Sequence, residues 1–265
     1  MIRILSGWSN PGGSTTAFIN LTNALNEFGY ETIFMGPHPF HLDKCKSIFC
    51  KPGEKLKIKK EDILIVHFRN NFIQRPPIKG FFLSCHEQDI FPLKDIKYEI
   101  FDKIHYVSKH QRDFHSIDHP HFILPNVLDD LKPNKKPSGK IAGIVGSIDK
   151  NKRVHTSIKR ALEDGCDKVL IYGVITDPWY WQTKVQHMVD GDKVVFMSFE
   201  DDKQKIYDSV TDVYHSSKSE TWGYIKGECK MTNTEYHGNS STDGYWEMDK
   251  KEIVKNWVEE IGYEN

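Results

Sequence analysis

Short runs of β-forming residues alternate with segments of helical period along almost the whole chain, and this alternation constrains the fold most. Ile2–Leu5 reads as a buried strand, followed by the turn Asn10-Pro11-Gly12-Gly13. Ser14 stands where a helix N-cap is expected. Phe18, Leu21, Thr22, Leu25 and Phe28 then recur at the spacing of one helix face, Gly29 supplies a stop, and Glu31–Met35 reads as the next strand. Strand, tight turn, helix, glycine and strand make one βαβ unit, which implies parallel pairing.

The pattern continues with strands predicted at Ile63–Val66, Gly80–Ser84, Lys103–Val107 and Phe122–Leu124. Residues 129–139 are polar and carry two prolines and a glycine, the composition of a linker. Beyond them the alternation restarts. Strands are expected at Ile141–Val145, Lys168–Tyr172, Val194–Met197 and Val213–His215, with helices at Val154–Leu162 and Lys203–Val210. Ile253, Val254, Trp257, Val258 and Ile261 form one apolar helical face near the C-terminus. The predicted fold class is α/β, with two doubly wound Rossmann-like domains facing a central cleft. The N-terminal domain is expected over 1–128 and the C-terminal domain over 129–265, with the last helix, about 249–262, packing back on the first. Open parallel sheets bind ligands at the carboxyl ends of their strands, though a fold by itself names no reaction.

Composition removes several classes. Lys and Arg total 36 against 37 Asp and Glu, for a net charge of −1, so no global electrostatic case for nucleic acid exists. The apolar runs are too short to cross a bilayer, and the N-terminus lacks the apolar stretch of a secretory signal. A cytoplasmic protein is expected, with peripheral membrane contact left open. The five cysteines include no CxxC pair, and the 13 histidines are scattered, so neither a disulfide framework nor a metal site is expected.

The residues best suited to chemistry lie in Ser219-Glu220-Thr221-Trp222-Gly223-Tyr224-Ile225-Lys226-Gly227-Glu228, after the strand Asp212-Val213-Tyr214-His215. One carboxylate falls in the strand-to-helix turn. The second lies about 12 Å along the axis if the intervening stretch is helical throughout. A helix N-terminus between them suits a diphosphate. The spacing fits equally an acidic helix start stabilised by the macrodipole, with Glu228 on a solvated face.

This stretch resembles the E-x7-E signature of the retaining GT-B glycosyltransferases of the family-4 type, with Glu220, Trp222-Gly223 and Glu228 in the matching places. Other landmarks follow in the family's order. Pro11-Gly12-Gly13 resembles its glycine loop, Leu124-Pro125-Asn126-Val127 its interdomain segment, and Ile144-Val145-Gly146 with Lys152 its phosphate site. The resemblance implies that Glu220 binds the transferred sugar, Glu228 the ribose, and Lys152 the leaving diphosphate. Gly12 and Gly13 would let backbone approach the phosphates, and Gly223 and Tyr224 would offer them N–H groups. His86, in Ser84-Cys85-His86-Glu87, matches a family histidine near the sugar; His67 is a weaker candidate of the same kind. Both also fit structural roles at strand ends, as Lys152 fits a solvated charged loop.

Two departures stand out. Ser147 occupies the position where the family usually has Arg, and Arg153, where the family often has Gly, could supply that charge from nearby. After Glu228 the chain runs into a polar stretch, which reads as a trimmed version of the fold. The implied reaction is hexose transfer, with retention, from a nucleoside-diphosphate sugar to an acceptor hydroxyl on a glycan or similar molecule. UDP is favoured and GDP next, with no metal or other cofactor. The alternative is an inactive nucleotide-sugar-binding or scaffold protein of the same fold. A dinucleotide-dependent oxidoreductase is a lesser one, because Pro-Gly-Gly-Ser-Thr-Thr replaces the expected G-x-G-x-x-G.

Overall fold

The structure is a computed structural model of the 265-residue chain. It describes every residue except 8, 52, 68–71, 73, 87–96, 239–243 and 264–265. Phe68, Arg69, Glu87 and the centre of the polar stretch after Glu228 therefore lie outside the described residues.

Two compact units form, one from Met1–Leu128 with Gly244–Asn265 and one from Asp129–Asp243. Thus 244–265, assigned by sequence to the second half, belong by contacts to the first unit. Its strands are β1 (Ile2–Leu5), β2 (Thr32–Gly36), β3 (Ser47–Phe49), β4 (Ile63–His67), β5 (Gly80–Cys85), β6 (Lys103–Tyr106) and β7 (His121–Ile123). All pair in parallel, in the order β3-β2-β1-β4-β5-β6-β7. The helices are α1 (Gly13–Glu27), α2 (Lys109–His115) and, from the C-terminus, α7 (Lys250–Glu260).

Side-chain alternation explains why these strands read as unbroken apolar runs. In β4, Ile63 and Ile65 face a core shared with Phe18 and Leu25 of α1 and Val254 and Trp257 of α7. Leu64 and Val66 face the opposite core with Met35, Leu83 and Tyr106. Both faces are covered, so both sets must be apolar. Trp246 anchors the approach to α7 by donating its Nε1–H to Val107 O at 3.0 Å.

The second unit repeats the plan with β8 (Ile141–Val145), β9 (Lys168–Tyr172), β10 (Val194–Ser198), β11 (Asp212–Tyr214) and β12 (Glu235–His237). These are also all parallel, in the order β10-β9-β8-β11-β12. Its helices are α3 (Val154–Glu163), the short α4 (Pro178–Tyr180) running into a π-helical turn (Trp181–Val185), α5 (Lys203–Asp208) and α6 (Tyr224–Thr232). Val169 and Ile171 pack under α3, while Leu170 and Tyr172 pack against α5.

Three local expectations are corrected. The cap of α1 is Gly12 in an extended conformation, and Ser14 falls inside the first turn. No strand was expected between α6 and the polar stretch, yet β12 adds a fifth strand to the second sheet there. The proposed linker is tied down: Asn134 donates to Tyr207 O at 2.9 Å and to Val210 O at 3.2 Å, and Leu131 packs on the core beside α5.

Candidate functional site

Strand order locates the site in the second unit. The strands run outward from β8 to β9 and β10 and then cross over to β11 and β12 on its other side. Where strand order reverses in this way, the loops after the two central strands diverge and an open parallel sheet binds its ligand at the carboxyl ends. The β8 loop, 146–153, carries Lys152 and Arg153. The β11 loop, 215–223, carries Glu220 and Gly223.

Backbone geometry shapes the first loop. A Cβ on Gly173 would lie 1.8 Å from Gly146 O, so only glycine lets the β9 exit pass so close to the β8 exit. Asp149 then folds the loop by accepting from the Asn151 and Lys152 N–H groups at 2.8 and 2.9 Å. Ser147 donates its hydroxyl to the same carboxylate at 2.7 Å. The serine found where an arginine was expected thus braces the turn that presents Lys152. Asn151 joins the two loops, accepting from Lys218 N at 2.9 Å and donating to Ser219 O at 3.3 Å.

Across this junction Lys152 Nζ forms a close ion pair with Glu220 Oε1. His215, the residue after β11, donates Nε2–H to the same oxygen at 2.8 Å. Burial alone would raise the Glu220 carboxyl, but the Lys152 ammonium and the His215 hydrogen bond outweigh it and hold the group well below the usual carboxylate range. Glu220 is therefore an ionised, oriented hydrogen-bond acceptor at neutral pH.

Glu220 lies in the turn between β11 and α6; the helix begins four residues later, at Tyr224, so only the second half of the stretch to Glu228 is helical. Gly223 is its N-cap, at φ 81°, a left-handed conformation favouring glycine. The Tyr224 ring is packed beside Trp222 and under Lys203 Nζ, and its buried hydroxyl has no hydrogen-bond partner among the described residues. Glu228, one turn on, is 3% exposed rather than solvated. Lys203 Nζ meets its Oε1 at 2.5 Å and Tyr207 donates to its Oε2 at 2.7 Å. Lys203 also pairs with Asp129, and although burial opposes it, the two carboxylates raise its ammonium well above the ordinary lysine range. Arg153 caps α3 at φ 50°, and no carboxylate pairs with its guanidinium among the described residues.

The remaining predicted residues belong to the first unit. Gly12 and Gly13 open α1, and among the described residues a Cβ on either would meet nothing closer than 3.9 Å, so no described contact demands glycine there. His86 follows β5 in a hydrogen-bonded row. Leu124 O can only accept, so His105 Nε2 donates to it at 2.9 Å and leaves Nδ1 to accept from Ser84 Oγ at 2.9 Å. The Ser84 oxygen then accepts from His86 Nε2 at 3.0 Å. Burial pushes His105 down to about 4. Burial, together with His105 and His67, pushes His86 well below its ordinary value. His86 is thus a neutral ring, lining a small recess with Phe18, Asn126 and Trp257. His67 is buried in contact with Ser6 at 3.2 Å.

The sequence reading missed His215, Asp149 and Asn151. Only His215 carried a signal, its position directly after a strand at the carboxyl edge. Among the described residues no group of three or more His, Cys, Asp or Glu side chains is arranged to hold a metal ion.

Two parallel sheets with these strand orders define an α/β fold resembling that of the GT-B glycosyltransferases. No family model and no curated protein matches the sequence. Among solved structures, the chain is similar to Anabaena HepE in complex with UDP and glucose, at 11% identity and TM-score 0.66, covering 97% of this chain and 89% of that one. It is also similar to sucrose-phosphate synthase from Thermosynechococcus elongatus, at 14% identity and TM-score 0.64, covering 92% and 82%. A third is WaaG, a glycosyltransferase of lipopolysaccharide biosynthesis, at 11% identity and TM-score 0.60, covering 99% and 91%.

Proposed function

We propose that the protein is a retaining glycosyltransferase, moving a hexose from a nucleoside-diphosphate sugar, UDP before GDP, to an acceptor hydroxyl on a glycan or similar molecule. The observation that carries the reading is the Lys152–Glu220–His215 cluster at the switch point of the second sheet. Likeness in fold to glycosyltransferases, one of them in complex with UDP and glucose, supports it.

In this reading the diphosphate sits against the start of α6, where Gly223 and Tyr224 contribute backbone N–H groups. Lys152, held by Glu220 before the donor arrives, turns to the diphosphate and offsets the charge that grows as the sugar C1–O bond breaks. The freed Glu220 oxygen, still oriented by His215, accepts from hydroxyls of the transferred sugar. The departing phosphate oxygen takes the acceptor proton, so no protein group must exchange one. His86, neutral, orients a hydroxyl by hydrogen bonding. Glu228, held by Lys203 and Tyr207, borders the ribose, and Arg153 adds a second cation. Gly12 and Gly13 leave room for backbone to approach the phosphates.

The inactive-binder reading keeps one specific support, Ser147 in place of a cation. The test therefore has two parts. Thermal shift with UDP, GDP, ADP and their sugars should single out one nucleotide, with stabilisation of about 2.7 kcal/mol at 100 times its dissociation constant. Lys152→Ala should weaken that binding roughly tenfold or more. Turnover with the matching donor, followed by NMR of the anomeric proton, should show retained configuration. A flat response to every nucleotide overturns the donor site, and binding without sugar release selects the inactive reading.

A further inference from the structure

We propose that the first unit carries a docking face for an anionic lipid bilayer, built from the edge strand β3 and the crossover that follows it. Among the described residues, the crossover from β3 to β4 contains no helix. Burial alternates along residues 55–59: Leu56 and Ile58 pack inward on the core of Met35, Leu64 and Val66, while Lys55, Lys57 and Lys59 are exposed. With the apolar residues between them turned to the core, the three ammonium groups are left on the solvent side.

The charge is concentrated. Residues 44–60 hold seven lysines and a single carboxylate, Glu54, in a chain whose net charge is −1. Among the described residues none of Lys51, Lys55, Lys57, Lys59 and Lys60 is paired with a carboxylate, whereas Lys46 shares Glu31 at 3.3 Å. Asp43 and Glu61 bound the stretch.

The same stretch leaves large apolar side chains in water. Leu42 is 46% exposed, Ile48 45% and Phe49 40%. β3 is the outer strand of its sheet and pairs only with β2 among the described strands, so no neighbouring strand covers Ile48 and Phe49. An acidic macromolecule such as duplex DNA would match the lysines but leave these three uncovered. A bilayer surface containing acidic lipids satisfies both, since headgroups neutralise lysines while apolar side chains enter the boundary with the acyl region.

The experiment is co-sedimentation of the full chain with vesicles of phosphatidylcholine alone and of phosphatidylcholine with phosphatidylglycerol, at low and high salt. Binding should require phosphatidylglycerol and weaken with salt. Replacing Lys55, Lys57 and Lys59 together by Gln should lower partitioning roughly a hundredfold. Ile48→Ser with Phe49→Ser should remove the binding that survives high salt. Should either variant lose its fold, hydrogen-exchange protection of 44–60 in the native chain on adding acidic vesicles answers the same question. Equal partitioning onto both vesicle types, no protection of 44–60, or equally tight binding to duplex DNA would overturn the proposal.

Discussion

The two glutamates that share one motif have different surroundings, and their substitution should separate. Glu220 sits at the mouth of the second sheet with Lys152 and His215, so Glu220→Gln is expected to alter ligand response more than folding. Glu228 is buried with Lys203 and Tyr207. Lys203→Met leaves its carboxylate without the cation, and should lower unfolding stability by about 3 kcal/mol in a urea titration. Glu228→Gln should cost less, because the amide oxygen can still accept from Tyr207. Equal stability of both variants would mean that the Lys203 pair is effectively solvated.

At the scale of elements, the loops after β8 and β9 are fixed by a backbone approach that side chains cannot relax. Gly173→Ala forces a carbon against Gly146 O. It should cost about 2 kcal/mol or more and displace the Lys152 loop. Denaturant midpoints measure the first effect, and loss of nucleotide binding in the still-folded fraction measures the second. The motif residues were legible here, but their supports were not. Glu220 and Lys152 could be named from Trp222-Gly223 and from Ile144-Val145-Gly146, whereas Asn151 bonds across loops to Lys218 and to Ser219, the latter 68 residues away in sequence. Nothing in an isolated asparagine announces such a partner. Ser147 looked like a missing cation until its bond to Asp149 gave it a different task.

For the whole molecule, buried neutral histidines set an acid limit. His105 has an ordinary value of 6.5 and sits at about 4 when folded. The unfolded chain takes up a proton as pH falls through 6.5, but the folded one does not until about pH 4. Stability is therefore complete above pH 6.5 and is lost progressively between the two values, by about 3 kcal/mol for this one group. His86 acts in the same direction. Urea midpoints at pH 7.5 and 4.5 should fall steeply for the native chain and less steeply for His105→Asn.

Sequence alone determined the class of architecture, because burying both faces of a parallel sheet demands apolar runs such as Ile63–Val66, and crossover helices demand period-3.6 faces such as Phe18 to Leu25, although Phe28, read as part of that face, is exposed at the helix end. It also placed the candidate carboxylates after a strand at the start of a helix. Tertiary structure decided the rest. It added β12, a strand the sequence did not announce, and buried Glu228 against Lys203 and Tyr207. It also set His215 on Glu220. Each of these is a contact outside any single helix or strand, and its energy depends on which surfaces meet, a quantity that local periodicity does not encode.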